Sequence, residues 1–174
     1  MKQILILLIS VILFSCSDNE IRYHIDETTS PTDTLRYLKL DMKPINGIVY
    51  CEFGENGNFI NGKSDGEYKF WYESGNQQYH HFPINDSLDE VNIWFENGQL
   101  KNKYTKKGWK KEGEFRQWYD DGSLQTISNY KDNKEDGEWK QYYRYIITNG
   151  YGDTFTMSTT NYKDGKKIGE SIVE

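Results

Sequence analysis

The second half of the chain repeats itself at intervals of about 24 residues. Each copy opens on a Gly-Glu or Asp-Glu pair, continues to two adjacent aromatic residues and, in the first three copies, ends at a turn glycine. The glutamates stand at positions 67, 90, 114 and 138, so the steps are 23, 24 and 24 residues, and a fifth Gly-Glu pair begins at Gly169. A period of this size is typical of stacked supersecondary units that bury their apolar faces against their neighbours. The repeat therefore predicts an extended array rather than a closed globule.

Inside each copy, side chains alternate with a period of two, which is the spacing of a half-buried strand. In the first copy Tyr68, Phe70 and Tyr72 share one face. The opposite face takes one tryptophan from each of three copies: Trp71, Trp94 and Trp118. The chain contains no alanine but 27 Phe, Trp and Tyr residues, a composition that favours strands over helices. We therefore expect an all-β fold, an elongated single-sheet array of stacked β-hairpins; the alternative is a β-sandwich whose spacing is coincidental.

Glycines mark the turns of the predicted hairpins. Gly75, Gly98 and Gly122 each follow an aromatic pair by three or four residues, where a hairpin turn requires positive φ. A second set of turns is predicted over residues 62–66, 133–137 and 165–169. Asn133 replaces glycine in one of these turns, and asparagine tolerates the left-handed conformation.

Three features depart from the repeat. Asp89 stands where the other copies have glycine, and Trp109 is an extra residue in the turn after Gly108. The fourth copy has eight more residues than the third before its next tyrosine. An even insertion preserves the face of every side chain, so we predict an elongated hairpin over residues 144–148 and 154–160. Such a protrusion is either a partner site or a tolerated insertion.

The segment 130–143, Tyr-Lys-Asp-Asn-Lys-Glu-Asp-Gly-Glu-Trp-Lys-Gln-Tyr-Tyr, resembles the MORN repeat variant, the bacterial form of the membrane occupation and recognition nexus repeat. Residues 95–100 resemble the other half of that consensus, and residues 44–50 resemble the entry into its first unit. The similarity extends over about residues 44–174. Many bacterial proteins with this array are classed with the YwqK-type antitoxins, so the resemblance implies an immunity role or a toxin as partner.

The first residues have the pattern of an export signal. Lys2 precedes an apolar run over residues 4–14, which is too short for the roughly 20 residues of a membrane span. The sequence Leu-Phe-Ser-Cys that ends at Cys16 resembles the lipobox of bacterial lipoproteins. That resemblance implies a signal peptide over residues 1–15, lipidation of Cys16, and a location at the outer membrane or cell surface as in Bacteroidota. The alternative is an ordinary signal peptide with an incidental cysteine.

The mature chain divides into two parts. Residues 16–34 are polar, and we expect a lipidated N-terminus and flexible tether there. Residues 35–174 are expected to form the repeat domain, as a monomer. Formal net charge is −6, which excludes nucleic acid as a general partner.

No catalytic, metal or cofactor motif is recognisable. The recurring glutamates occupy one repeat position, which favours a structural role over paired acid–base catalysis. His80 and His81 are adjacent in a strand, so their side chains leave opposite faces and cannot share a metal ion. We expect neither enzymatic activity nor a cofactor.

These observations favour a lipid-anchored scaffold that binds a protein, with a toxin among the candidates. The alternatives are a carbohydrate or cell-wall binder and a structural spacer. The elongated hairpin beside an open sheet edge predicts a partner site in the C-terminal third. Its predicted aromatic anchors are Tyr145, Tyr151 and Phe155, with the stripe of Trp71, Trp94 and Trp118 as the second candidate.

Overall fold

A computed structural model of the chain describes residues 20–32, 35–85, 87–146 and 153–173. Within these ranges it contains one 3₁₀ turn, Ile25–Glu27, and fifteen strands. The strands are β1 (Arg22–His24), β2 (Thr28–Thr32), β3 (Leu35–Leu38), β4 (Gly47–Cys51), β5 (Gly54–Ile60), β6 (Lys63–Trp71), β7 (Gln77–Asn85), β8 (Leu88–Trp94), β9 (Leu100–Lys107), β10 (Lys110–Trp118), β11 (Leu124–Lys131), β12 (Lys134–Glu135), β13 (Gly137–Ile146), β14 (Asp153–Lys163) and β15 (Lys166–Val173). Within the same ranges, no helix has the length and apolar character that a membrane crossing requires.

Thirteen of the strands form one open sheet in which neighbours in the chain are neighbours in space. From β4 to β15 the ladders are antiparallel and follow chain order, with the short β12 paired to β11 alongside β13. The first strand, β1, joins the edge of β4 in parallel. Eleven strand spacings of about 4.8 Å make the sheet roughly 50 Å wide. The prediction of an all-β, elongated single-sheet array of stacked hairpins is confirmed.

Each of the first three aromatic pairs coincides with a register shift. The shifts fall between Phe70 and Trp71, between Ile93 and Trp94, and between Gln117 and Trp118. The turns that follow contain Gly75, Gly98 and Gly122, and all three have φ 84°. A side chain with a Cβ disfavours this conformation, so the glycines fix the tip of each hairpin as predicted.

The turns at the opposite ends of the strands are tighter than predicted. The central pairs are Asn61–Gly62, Asp132–Asn133 and Asp164–Gly165, and both residues of each pair have positive φ, as in a type I′ turn. Strands β6, β12 and β15 therefore begin directly after these pairs, and the predicted turns over residues 62–66, 133–137 and 165–169 are each too long. Gly66 has φ 90° inside β6, beside the register shift that separates Asp65 from Tyr68. The strand continues through this irregularity because glycine accepts positive φ.

The sheet has two chemically different faces. The aromatic face carries Tyr68 and Phe70 of β6, which pair with His81 and Tyr79 of β7. The glutamate face carries the recurring glutamates and, two residues further on, Lys69, Asn92, Arg116 and Lys140. His80 belongs to the glutamate face, since its Nε2 lies 3.1 Å from Glu67 Oε2. The predicted separation of His80 from His81 is thus present.

The segment before the repeats is folded, so the prediction of a flexible tether over residues 16–34 is wrong for residues 22–32. Strand β1 pairs with β4, and β2 pairs with β3 as a small second sheet. Tyr23, Ile25 and Leu38 pack against the buried cluster Ile45, Val49 and Phe59. The first end of the array has no further repeat to cover its apolar side chains. The few apolar residues of this otherwise polar segment cover that end instead.

Buried apolar side chains are confined to one part of the molecule. We call residues 20–107 the capped half and residues 110–173 the single-layer half. Among the described side chains, the buried apolar residues all lie in the capped half: Ile45, Ile48, Val49, Phe59 and Val91. The buried residues of the single-layer half are polar: Thr126, Ser128 and Thr159. The β2–β3 hairpin supplies a second layer only to the capped half.

Hydrogen bonds one repeat apart connect successive hairpins. The Tyr72 hydroxyl donates to the Trp94 carbonyl at 2.8 Å, and the Tyr119 hydroxyl donates to the Tyr142 carbonyl at 3.1 Å. Because these bonds join equivalent positions of neighbouring units, they tie the stacking to the 24-residue period.

The fourth hairpin is longer than the others, as predicted. β13 and β14 pair without a register shift over ten positions, from Gly137 with Tyr162 to Ile146 with Asp153. Its tip, residues 147–152, lies outside the described residues. The last strand, β15, pairs with β14 and stands at the end of the sheet.

Candidate functional site

The aromatic face of the capped half contains a groove of about 1120 Å³. Strands β5 to β9 form its floor, and β5 contributes Phe59. The β2–β3 hairpin forms one wall, and the turn between β9 and β10 forms the other. The groove therefore runs across the strands, between the cap and a turn of the array.

Stacked rings make the floor. The ring of Tyr68 lies 4.6 Å from that of His81 and 5.5 Å from that of Tyr79, centroid to centroid. Phe70 extends the surface, with its ring 6.0 Å from that of Tyr79. These contacts follow from the β6–β7 register, which places the four side chains on one face. Burial raises the pKa of the Tyr79 hydroxyl well above its ordinary value, so this phenol stays neutral.

Arg36 of β3 fastens the first wall to the sheet. Its guanidinium lies 5.8 Å from the Phe59 ring and 5.5 Å from the Phe70 ring. It donates from Nη1 to Thr28 Oγ1 at 2.8 Å, and its backbone N–H donates to the Gly62 carbonyl at 2.8 Å. Burial lowers the pKa of Arg36, yet a guanidinium starts so high that it remains charged. The cap therefore brings a fixed cation to the edge of the groove.

The second wall ends in an exposed indole. Trp109 is 72 % exposed, and the ammonium of Lys106 lies 5.4 Å from its ring centroid. Trp109 is the extra residue that interrupts the repeat after Gly108. An exposed aromatic held beside a groove is a typical contact residue for a ligand or partner.

A cluster of three titratable side chains lies in the floor next to this wall. Asp89 Oδ2 is 3.0 Å from His81 Nε2 and 3.6 Å from Lys106 Nζ. His81 is 6 % exposed, and its Nδ1 has no hydrogen-bond partner among the described residues. The Nε2 contact has the distance of an ion pair without the geometry of a hydrogen bond. An unpaired buried polar atom costs roughly 1–3 kcal/mol, so this imidazole marks a point where a bound polar group would add stability.

One repeat position differs between the groove and the corresponding surface of β10. Ser64 lines the groove, and Lys111 occupies the same position two units further along the array, two residues before the glycine of its copy. The Lys111 ammonium lies 4.4, 4.9 and 5.5 Å from the ring centroids of Phe115, Tyr130 and Tyr104. Burial lowers the pKa of this lysine. The long side chain covers the aromatic face in the single-layer half, whereas serine leaves it open in the capped half.

The predicted tryptophan stripe does not line this groove. Trp71, Trp94 and Trp118 are half-buried at the register shifts of β6, β8 and β10. Trp71 lines a smaller cleft of about 330 Å³ together with Glu67 and Lys69. The stripe therefore stays a separate candidate, on the part of the sheet where the charged pairs lie.

Those charged pairs follow the repeat. Lys69 lies 3.0 Å from Glu67, Arg116 lies 2.6 Å from Glu114, and a third pair joins Lys140 to Glu138 at 2.7 Å. Hydrogen bonds from Lys69 and His80 lower the pKa of Glu67. Within the described ranges, no group of three or more His, Cys, Asp or Glu side chains is placed to hold a metal ion.

Other predicted site residues fall where less can be said. Cys16 and Tyr151 lie outside the described residues. Tyr145 and Phe155 stand in β13 and β14, where Tyr145 pairs with Thr154 and Arg144 pairs with Phe155. The structure thus places their backbones on adjacent rungs of the elongated hairpin.

The sequence does not predict the groove, but two of its lining residues stand out in the sequence. Asp89 and Trp109 were both departures from the repeat, and the structure brings them to one site. Both residues could have been assigned to one site from the sequence, because they lie in neighbouring hairpins and are departures from the same repeat. Arg36 gave no signal, because it precedes the repeats.

Comparison of the chain with protein-family models, with curated proteins and with solved structures finds no match.

Proposed function

We propose that this chain is a non-enzymatic scaffold that binds a protein partner through the groove on its aromatic face. The observation that carries the proposal is the convergence of Asp89 and Trp109, two of the three departures from the repeat, on a groove with an aromatic floor. A residue that serves only the array has no reason to differ at one copy. Concave sites with aromatic surfaces and a few polar groups are where proteins bind ligands and partners.

The resemblance to the MORN repeat variant supports a toxin as the partner, as in an antitoxin or immunity protein. Carbohydrate is the second candidate ligand, favoured by the exposed indole of Trp109, since an open aromatic ring also stacks on a sugar face. A photo-reactive residue at position 109 distinguishes the two candidates, because a protein partner gives a protein adduct and a carbohydrate ligand does not.

The test is in-cell photo-crosslinking of the full-length chain. Benzoylphenylalanine replaces Trp109 in one variant and Ile168, which is 68 % exposed at the far end of the sheet, in the control. We expect a protein adduct from position 109 and none from position 168. Ser64→Lys, which introduces the side chain that covers the equivalent surface at Lys111, should remove the adduct.

Three results would contradict the groove. An adduct from position 168 alone would move the partner to the C-terminal third, near Tyr145, Tyr151 and Phe155. Equal adducts from both positions would indicate contact without a specific site. No adduct at either position, with retention of the chain on envelope polysaccharide, would favour the carbohydrate reading.

We also propose that the scaffold is anchored to the outer membrane or cell surface by lipid on Cys16. The support is the apolar run over residues 4–14 followed by the Ser-Cys junction. Cys16→Ala should abolish incorporation of a labelled fatty acid and release the protein from the membrane fraction. Cys51→Ala is the matched control, since it removes the other cysteine, and label that persists in Cys16→Ala would refute the anchor.

A further inference from the structure

The groove has a charge opposite to that of the chain. The protein has a formal net charge of −6, yet the charged side chains that line the groove are four cations, Arg36, Lys63, Lys101 and Lys106, and one carboxylate, Asp89. A concave site of one sign on a surface of the other sign concentrates ligands of complementary charge. The complementary ligand here is an anion.

Three of the four groove cations have no carboxylate partner in the described part of the chain; the fourth, Lys106, lies 3.6 Å from Asp89. Among the described residues, no carboxylate lies within ion-pair distance of Arg36, Lys63 or Lys101. On the opposite face the pattern is different, because Lys69 and Lys140 each pair with the glutamate two residues before them. Lys69 and Lys140 are thus paired with carboxylates, whereas three of the four groove cations have no such partner among the described residues.

The interior of the groove also contains an unsatisfied group. His81 is nine-tenths buried among the lining residues, and its Nδ1 has no hydrogen-bond partner in the described part of the chain. Its other nitrogen shares Asp89 with Lys106. A bound hydrogen-bonding group would remove the cost of this unpaired nitrogen.

The dimensions and the floor favour a peptide over an acidic polysaccharide. From β5 to β9 the groove crosses four strand spacings, roughly 19 Å, which is the length of about six extended residues. Between the cations the floor is largely aromatic, and Phe70 and Ile93 supply its apolar lining. Apolar side chains bury well on such a floor, whereas a polysaccharide of uniform charge would leave it uncovered.

We propose that the groove binds an extended acidic segment of the partner protein, whose carboxylates contact Lys63 and Lys101 and whose apolar side chains rest on Phe70 and Ile93. This proposal rests on the proposed function, since it specifies the chemistry of the protein that docks there. A segment of about six residues in which acidic and apolar side chains alternate is the expected ligand.

The test is selection of a random hexapeptide library on the full-length protein, followed by fluorescence anisotropy with the most enriched peptide. We expect enrichment of Asp and Glu together with apolar residues. Lys63→Gln with Lys101→Gln should weaken binding roughly tenfold at low salt, as expected for the loss of two partly exposed ion pairs. Lys69→Gln with Lys140→Gln is the matched control, because it removes the same net charge from the glutamate face and should leave binding unchanged.

The proposal is overturned by enrichment of neutral or basic peptides, by an equal loss in the control pair, or by the absence of any enriched peptide. It is also overturned if polygalacturonate binds to the groove and no peptide competes with it. Photo-crosslinking separates this failure from that of the proposed function. A protein adduct at position 109 without acidic enrichment refutes only the chemistry of the segment, whereas loss of both refutes the protein site itself.

Discussion

The capped half and the single-layer half are built from the same repeat but are stabilised differently. In the capped half, the β2–β3 hairpin covers one face of the sheet and apolar side chains become buried. In the single-layer half, the aromatic face is covered by its own lysine, Lys111, and the buried residues are polar. The groove lies beside the cap, which forms one of its walls, at a place where Ser64 stands instead of a lysine. A repeat array therefore gains a binding site where its covering changes from another layer to its own side chains.

Core truncation should distinguish the halves most strongly. Phe59→Ala removes a buried ring that packs with Ile45 and Val49, so we expect a loss of about 3 to 5 kcal/mol in unfolding free energy. Phe115→Ala removes a half-buried ring from the single-layer half and should cost about half as much. Urea unfolding followed by tryptophan fluorescence measures both values. Equal losses would show that the cap adds no stability beyond that of an ordinary repeat.

Two equivalent turns should respond differently to the same substitution. Gly62 and Gly165 have φ 76° and 79°, so alanine costs roughly 1 to 3 kcal/mol at either position through positive φ alone. A Cβ at Gly62 would also lie 2.7 Å from the Arg36 carbonyl oxygen of the cap, whereas at Gly165 the nearest atoms are 3.7 Å away. We therefore expect Gly62→Ala to lower the melting temperature clearly more than Gly165→Ala. Similar shifts would indicate that the cap gives way at no cost.

The hydrogen bonds between hairpins should be the same in both halves. Tyr72→Phe removes a bond in the capped half, and Tyr119→Phe removes its equivalent in the single-layer half. Each should lower the unfolding free energy by about 0.5 to 1.5 kcal/mol. Denaturant titration of the two variants compares them directly. A difference of more than about 2 kcal/mol would mean that the halves do not share one stacking interaction.

The smallest of these effects on stability should come from ionisation of Tyr79, the largely buried tyrosine of the groove, at alkaline pH. Burial raises the pKa of Tyr79 in the folded state above its ordinary value near 10. The stabilisation by neutral Tyr79 is therefore complete below about pH 10, the unfolded-state pKa, and is lost as the pH rises toward the folded-state pKa. The melting temperature should fall less steeply above pH 10 in Tyr79→Phe than in the parent chain. Parallel curves for the two proteins would show that this hydroxyl ionises as freely folded as unfolded.

Much of the architecture was readable from the residues because it is local. The period fixed the number and order of the hairpins, and Gly75, Gly98 and Gly122 fixed their tips through a backbone requirement that each residue meets alone. The turn over residues 62–66 was predicted too long because a glycine marks a bulge as readily as a turn. The prediction of a tether over residues 16–34 rested on their polar composition. Composition alone does not show that a few apolar residues, such as Tyr23 and Ile25, can pack against the exposed first end of the array.

The sequence by itself determined a β-hairpin array, its two faces and the places where the repeat is broken, since alternation and turn chemistry act between near neighbours. Only the tertiary structure decided that residues 22–32 cap the array and that Arg36 faces Phe70. The same holds for the meeting of Asp89 with His81 and for the serine that leaves the groove open. These outcomes depend on contacts between segments that are separate in the chain, and the free energy of such contacts is set by the shape of the assembled sheet rather than by any local pattern.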